Sequence, residues 1–221
     1  MRKPLPVLVT ACVVAVVALL VVGLTQRTSL AFTLGVFPAT PAAELNPGQR
    51  VCQVPIAVPS GAEFDRIVVK LGTFGKPGPE LEASVADSTG RVISRGTLRG
   101  GYADVAQSGE QAIAVDEVPE NSDVDVCLRN RGNVKVAVFG NADAASRTST
   151  AWKDNEPTGN DLTLVFERSP RSVASLFGAM AERASLFKLS WAGAWMFWLL
   201  GALVLLAVPA LLVRAVRGLE E

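Results

Sequence analysis

Two long apolar runs, one near each end of the chain, constrain the fold more than any other feature. Leu5 to Leu24 carries no charge over about 20 residues, the length that crosses a hydrocarbon core. Thirteen of these residues are Val or Leu. At roughly −0.4 kcal/mol each, they favour insertion by about 5 kcal/mol. A cleaved signal peptide is the competing reading, because Ser29-Leu30-Ala31 resembles a small-x-small cleavage site. The run exceeds the ~7–15-residue core of a signal peptide and the triplet lies beyond its end, which favours a retained span.

The second run, Trp191 to Val213, is also of spanning length. Arg2 and Lys3 precede the first run, and Arg214 and Arg217 follow the second. Under the positive-inside rule both termini are expected in the cytoplasm of a plasma-membrane protein, with about 27–190 outside. Trp191, Trp195 and Trp198 cluster at the outer end of the second span, as an aromatic belt would, although helix packing would also use them. Pro209 falls near the cytoplasmic end, where a kink costs little.

Just before that span the pattern changes twice. Asp161 to Ser169 (DLTLVFERS) alternates like a strand. Ser169-Pro170 then reads as N-cap and first helical residue. Val173, Leu176, Phe177, Met180, Ala184 and Phe187 follow at spacings of three and four, one stripe of an amphipathic helix from Pro170 to Lys188. Arg171, Arg183 and Lys188 lie off the stripe, with Glu182 as the helix's acid. Such a helix suits an anionic membrane interface. Packing of the stripe on protein is an equal alternative.

The remaining middle is expected to be mainly β. Residues 27–49 form a stalk or an irregular first strand. Strand signals then recur over Val51–Val58, Phe64–Phe74, Leu81–Ala86, Arg91–Leu98, Gln111–Val118, Asp123–Arg129, Val134–Gly140 and Leu162–Arg168. Turns at Asp87-Ser88-Thr89-Gly90 and Asn130-Arg131-Gly132-Asn133 punctuate them. About eight short strands without helical periods predict a β-sandwich over 50–169. The full division is 1–26 (span), 27–49 (linker or strand), 50–169 (sandwich), 170–189 (amphipathic helix), 190–214 (span) and 215–221 (cytoplasmic tail).

Cys12 lies in the first apolar run, leaving Cys52 and Cys127, each within an expected strand. Outside the cytoplasm such a pair is expected to be oxidised. A bridge closing that loop would stabilise by roughly 4 kcal/mol in the chain-entropy treatment. Two buried thiols are the alternative; the chain has no Cys-x-x-Cys for redox work.

Histidine is absent, which excludes Ser-His-Asp and Cys-His chemistry and the commonest zinc ligand. The formal net charge is zero, so no nucleic-acid surface is indicated. The glycines fall in turns rather than in a phosphate loop. A carboxylate pair for glycoside hydrolysis needs only proximity in space, so an extracytoplasmic hydrolase stands as the weakest reading. No cofactor is expected. Asp143, Asp154 and Asp161, with neighbouring Asn and Glu, offer oxygen donors that calcium favours, but their spacing is not that of a twelve-residue calcium loop. A solvated polar loop is the plainer reading. Tyr102 and Trp152, the latter beside Asp154 and Asn155, combine an aromatic ring with polar groups, as sugar binding requires. The same rings would serve as caps on the ends of the core.

The run VVKLGTFGKPGPELEASVADSTGRVISRG (Val68–Gly96), in which a Gly- and Pro-rich turn precedes a strand and an Asp-x-x-Gly hairpin follows it, resembles the early strands of carbohydrate-binding jelly-roll domains. The layout of two spans around a cysteine-bridged β-domain is similar to membrane-anchored envelope proteins of high-GC actinobacteria. The resemblance covers about 50–168 and implies a fold; it transfers no sugar-binding residues. The combined expectation is a non-enzymatic, membrane-anchored, extracytoplasmic protein that binds envelope glycan or assists envelope polysaccharide machinery. The alternative is a structural subunit that docks on a membrane-protein partner through its spans and surface helix.

Overall fold

A computed structural model describes residues 4–104, 106, 109–142, 149–185 and 193–218. The chain divides into two compact units, Ser29–Ser169 and the combination of Met1–Thr28 with Pro170–Glu221.

The first unit is built of strands. Fourteen strand segments run through the described residues: β1 Arg27–Thr33, β2 Thr40–Leu45, β3 Arg50–Val58, β4 Phe64–Val69, β5 Leu71–Gly72, β6 Leu81–Asp87, β7 Val92–Leu98, β8 Gln111–Val118, β9 Ser122–Asn130, β10 Val136–Asn141, β11 Thr150–Lys153, β12 Glu156–Pro157, β13 Asp161–Leu162 and β14 Leu164–Ser172. They form a six-stranded sheet of order β12-β11-β3-β9-β6-β7, a four-stranded sheet β1-β14-β4-β8, and a smaller sheet β13-β10-β2 in which β5 also pairs with β10.

Alternation decides which way each strand faces. In β6, Leu81, Ala83 and Val85 are fully buried while Glu82 and Ser84 lie on the other side. In β9, Val124, Val126 and Leu128 point inward, and Asp125, Cys127 and Arg129 outward. In β3 the phase breaks at a bulge between Gln53 and Ile56, around Pro55. Proline has no N–H for the ladder, and the extra residue brings both Gln53 and Ile56 to the inside.

One hydrophobic core joins residues from all three sheets. Its aromatic centre is Phe32, Phe64 and Phe166, with ring centroids 4.3 Å apart for Phe32–Phe166 and 4.7 Å for Phe64–Phe166. Such ring pairs contribute about 0.5–1.5 kcal/mol each beyond area burial.

The segment expected as a stalk or an irregular first strand supplies two strands, β1 and β2, with Ala31, Ala42, Ala43 and Leu45 in the core. Two segments expected as single strands are each divided. Phe64–Phe74 breaks at Lys70, so that β4 pairs with β14 and β8, and β5 with β10. Leu162–Arg168 breaks at Thr163, so that β13 pairs with β10, and β14 with β4. At each break the chain passes between the same two sheets. Thr163 spans the corner, its N–H donating to the Phe139 carbonyl at 3.0 Å and its hydroxyl to the Val36 carbonyl at 3.1 Å.

The second unit contains α1 Pro4–Thr25, α2 Val173–Ser185 and α3 Trp195–Gly218. The helix expected from Pro170 begins three residues later, because Ser169 and Pro170 extend β14. A proline φ near −65° suits an extended chain as well as a first helical turn. The Ser169 hydroxyl is engaged by Asp65 at 3.2 Å, and Ser172 supplies the cap instead, accepting the Ser175 N–H at 3.3 Å. Lys188 and Trp191 lie outside the described residues.

Within this unit α2 packs on both other helices. The Val173 N–H donates to the Gln26 carbonyl at 3.0 Å, and Phe177 meets Trp198 edge-on at 4.9 Å. Ala181 is buried, whereas Val173 and Met180 on the same helix are exposed. By length and composition Trp195–Ala215 is apolar enough to cross a membrane, and its side chains are not buried against protein. α1 holds the whole of the first uncharged run.

Glycine substitutions test this packing. A Cβ on Gly96 would stand 2.0 Å from the Ala114 carbonyl oxygen, whereas one on Gly178 meets nothing within 4 Å. Gly96→Ala is expected to lower the melting temperature of the full chain in detergent by several degrees. Gly178→Ala is expected to be neutral or to stabilise α2 by about 0.5–1 kcal/mol. Circular-dichroism melts of the two variants check both expectations.

Candidate functional site on the outer face of the six-stranded sheet

The Cys52–Cys127 bridge forms, and it lies between neighbouring strands of one sheet. The two residues are direct cross-strand partners with Cα atoms 3.9 Å apart. Their pairing sets the register of everything around them. Arg50 stands two residues before Cys52, and Arg129 two residues after Cys127. Antiparallel pairing therefore places Arg50 opposite Arg129 on the outer face. On the next strand Glu82 faces Arg129 and Ser84 faces Cys127, and beyond them Arg95 pairs with Ser84. In the other direction Trp152 lies opposite Cys52, and Pro157 opposite Trp152.

These rows border a cavity of about 210 Å³ whose lining includes Arg50, Arg95, Arg129, Arg131, Glu82 and Ser84, with Cys127 also at its surface. The four arginines are unequally engaged. Arg131 places Nε and Nη2 each 2.5 Å from Glu82 Oε2. Arg50 donates to Asn155 Oδ1 at 3.0 Å and Arg129 to the Gly48 carbonyl at 3.2 Å. The Arg95 side chain has no hydrogen-bond or ion-pair partner among the described residues. The neutral acceptors orient Arg50 and Arg129 without cancelling their charge. Like charges directly opposite on a sheet are destabilising by tenths of a kcal/mol, so the pair is held against its own repulsion. Asp125 shares this outer side of β9; burial holds its carboxyl above the ordinary range.

Trp152 is 38 % exposed on this face. Asp154 and Asn155 follow it as the two central residues of the β11–β12 hairpin, both with positive φ (47° and 73°) and with Lys153 paired to Glu156. That is a type I′ turn, which favours Asn and Asp. Asp154 also braces β3, accepting the Arg50 N–H at 3.1 Å and the Gln49 amide at 2.9 Å.

Tyr102 lies in a different depression, with Thr73, Lys76 and Asp104. Its ring packs on the core and against Gly78, where a Cβ would stand 2.1 Å from the ring. Burial pushes its phenol above the ordinary range.

Of the three aspartates considered for calcium, Asp143 lies outside the described residues. Asp161 is buried and accepts the Gln53 amide at 2.8 Å, while Asp154 is engaged as above. No group of three or more acidic or cysteine side chains is placed to hold a metal among the described residues. Trp195 and Trp198 stand exposed at the start of α3. Arg171 lies before α2 and Arg183 in its last turn.

The arginine cluster itself was not singled out in the sequence. Its signal was present in Arg50-x-Cys52 and Cys127-x-Arg129, two triplets of opposite order that an antiparallel cysteine pair brings together. No protein-family model matches the chain, and no curated protein matches its sequence.

The turn assignment separates a structural from a ligand-contacting Asn155. Asn155→Gly should leave the melting temperature within about 2 °C, because glycine accepts positive φ freely. Asn155→Val should cost about 1–2 kcal/mol, read from thermal or denaturant unfolding.

Proposed function

We propose that the protein is a plasma-membrane protein held by α1 and α3 as two spans, with both termini in the cytoplasm and the β-unit, a jelly-roll-like sandwich, outside. There the β-unit binds envelope glycan or assists machinery that handles it. The observation that carries this reading is the half-exposed Trp152 set beside a disulfide on an open sheet face. A disulfide persists in an oxidising compartment, and an exposed indole next to polar groups suits the apolar face of a sugar ring. Arg2 and Lys3 before the first apolar segment, and Arg214 and Arg217 after the second, support the orientation. A helical unit whose apolar side chains stand exposed is suited to lipid.

A second reading is favoured by Phe177 and Trp198, whose contact leaves Val173, Met180 and Trp195 exposed on the same helical unit. This surface suits docking on a membrane-protein partner, for which the β-unit would be a spacer. Purification in gentle detergent distinguishes the two: a stoichiometric membrane partner supports docking, and a lone protein that retains glycan supports binding.

The topology is tested with an impermeant maleimide on intact cells. Cys52 and Cys127 should label only after an external reductant is added, and a cysteine placed beyond Arg217 should stay unlabelled until the membrane is opened. Labelling of that terminal cysteine from outside would invert the orientation.

A further inference from the structure

We infer that the outer face of the six-stranded sheet recognises an acidic glycan, a hydroxyl-rich polymer carrying carboxylates or phosphates. Its anionic groups sit on Arg50, Arg95 and Arg129, and a sugar ring lies on Trp152. This inference rests on the glycan reading above and assigns that reading its ligand class and its residues.

Three observations carry it. First, the charge is local. The chain has equal numbers of acidic and basic residues overall, yet four arginines and one carboxylate line this cavity among the described residues. Second, the cluster is oriented before any ligand arrives. Arg129 and Arg50 are fixed by a carbonyl and an amide oxygen, which position a guanidinium and leave its charge intact. An anion between Arg50 and Arg129 would relieve their repulsion and gain charge-assisted, bidentate hydrogen bonds. Arg131 is already held by Glu82 and frames the site without being free for a ligand.

Third, the geometry is linear. Trp152, Cys52, Cys127, Ser84 and Arg95 follow one another across five adjacent strands. Four strand spacings amount to ~19 Å, more than a single sugar ring spans. Trp152 at one end, Arg95 at the other, and Arg50 and Arg129 paired in the neighbouring row suit a chain laid across the strands. The disulfide stiffens the middle of this row, so little ordering remains to oppose binding. Arginine suits both planar carboxylates and phosphates, so the two sources share one chemistry.

The test uses the full chain in a neutral detergent, titrated calorimetrically with polygalacturonate, poly(glycerol phosphate) and dextran. Affinity for one or both acidic polymers should exceed that for dextran at least tenfold, and should weaken steeply between 50 mM and 300 mM salt. The polymer that binds identifies carboxylate or phosphate as the anion. Arg129→Gln and Arg95→Gln should each weaken acidic-polymer binding about tenfold without lowering the melting temperature; relief of repulsion should leave Arg129→Gln at least as stable. Trp152→Ala should weaken it as well.

Equal affinity for dextran and the acidic polymers, or arginine variants that bind like the wild type, would overturn the acidic-ligand assignment. If dextran binding persists and is lost only in Trp152→Ala, the glycan reading survives without it. If no polymer binds, both fall. Binding to phosphatidylglycerol vesicles in place of all polymers would reassign the arginines to a lipid surface and also overturn the proposal.

Discussion

The register between β3 and β9 is the constraint on which the rest of the β-unit depends, and the Cys52–Cys127 bond locks it. A slip of one residue would invert one strand relative to the other, turning either Val51 outward and Arg50 inward, or Val126 and Leu128 outward and Arg129 inward. Neither change is tolerable: each exposes apolar surface and buries unpaired charge. The bond and the hydrophobic pattern therefore demand the same alignment, one covalently and one through burial. The arginine face is a direct consequence, since the same alignment that hides the aliphatic side chains must place the two arginines side by side.

Where the chain turns from sheet to sheet, polar side chains take over the work of the ladder. Gln53 is fully buried, donates to Asp161 and Ser149 at 2.8 Å each, and accepts the Leu162 N–H at 2.8 Å. Asn130, also fully buried, donates to the carbonyls of Leu45 and Val134. Strands that end in a core leave backbone groups without partners, and an unmet buried group costs about 1–3 kcal/mol. These two amides meet that need at the strand ends. Asp161, read in sequence as an oxygen donor in a polar loop, belongs to this interior network, and the change of role follows from its burial.

The helical unit follows another logic. Its apolar residues do not alternate with polar ones at helical spacing in α1, and they are exposed along both long helices. In α2 the stripe residues Val173, Phe177 and Met180 stay exposed, and Ala181, which lies off that stripe, is buried. The contacts that organise the unit gather at the ends of the helices, through Gly23 beside Ala174 and Phe177 on Trp198.

The sequence by itself determined the apolar helices, the mainly β character of the middle, and the oxidation partners Cys52 and Cys127. Each is written in local periodicity, in composition, or in a process of elimination among three cysteines. Tertiary structure decided between stalk and strand in 27–49, because β1 and β2 become strands only when β14 and β10 are there to pair with them. It decided the corners at Lys70 and Thr163, because alternation continues unbroken when a strand changes sheets. It also decided the site. Arg50, Arg95, Arg129 and Trp152 are scattered over about a hundred residues of chain, and only hydrogen-bonded strands lying ~4.8 Å apart make them neighbours.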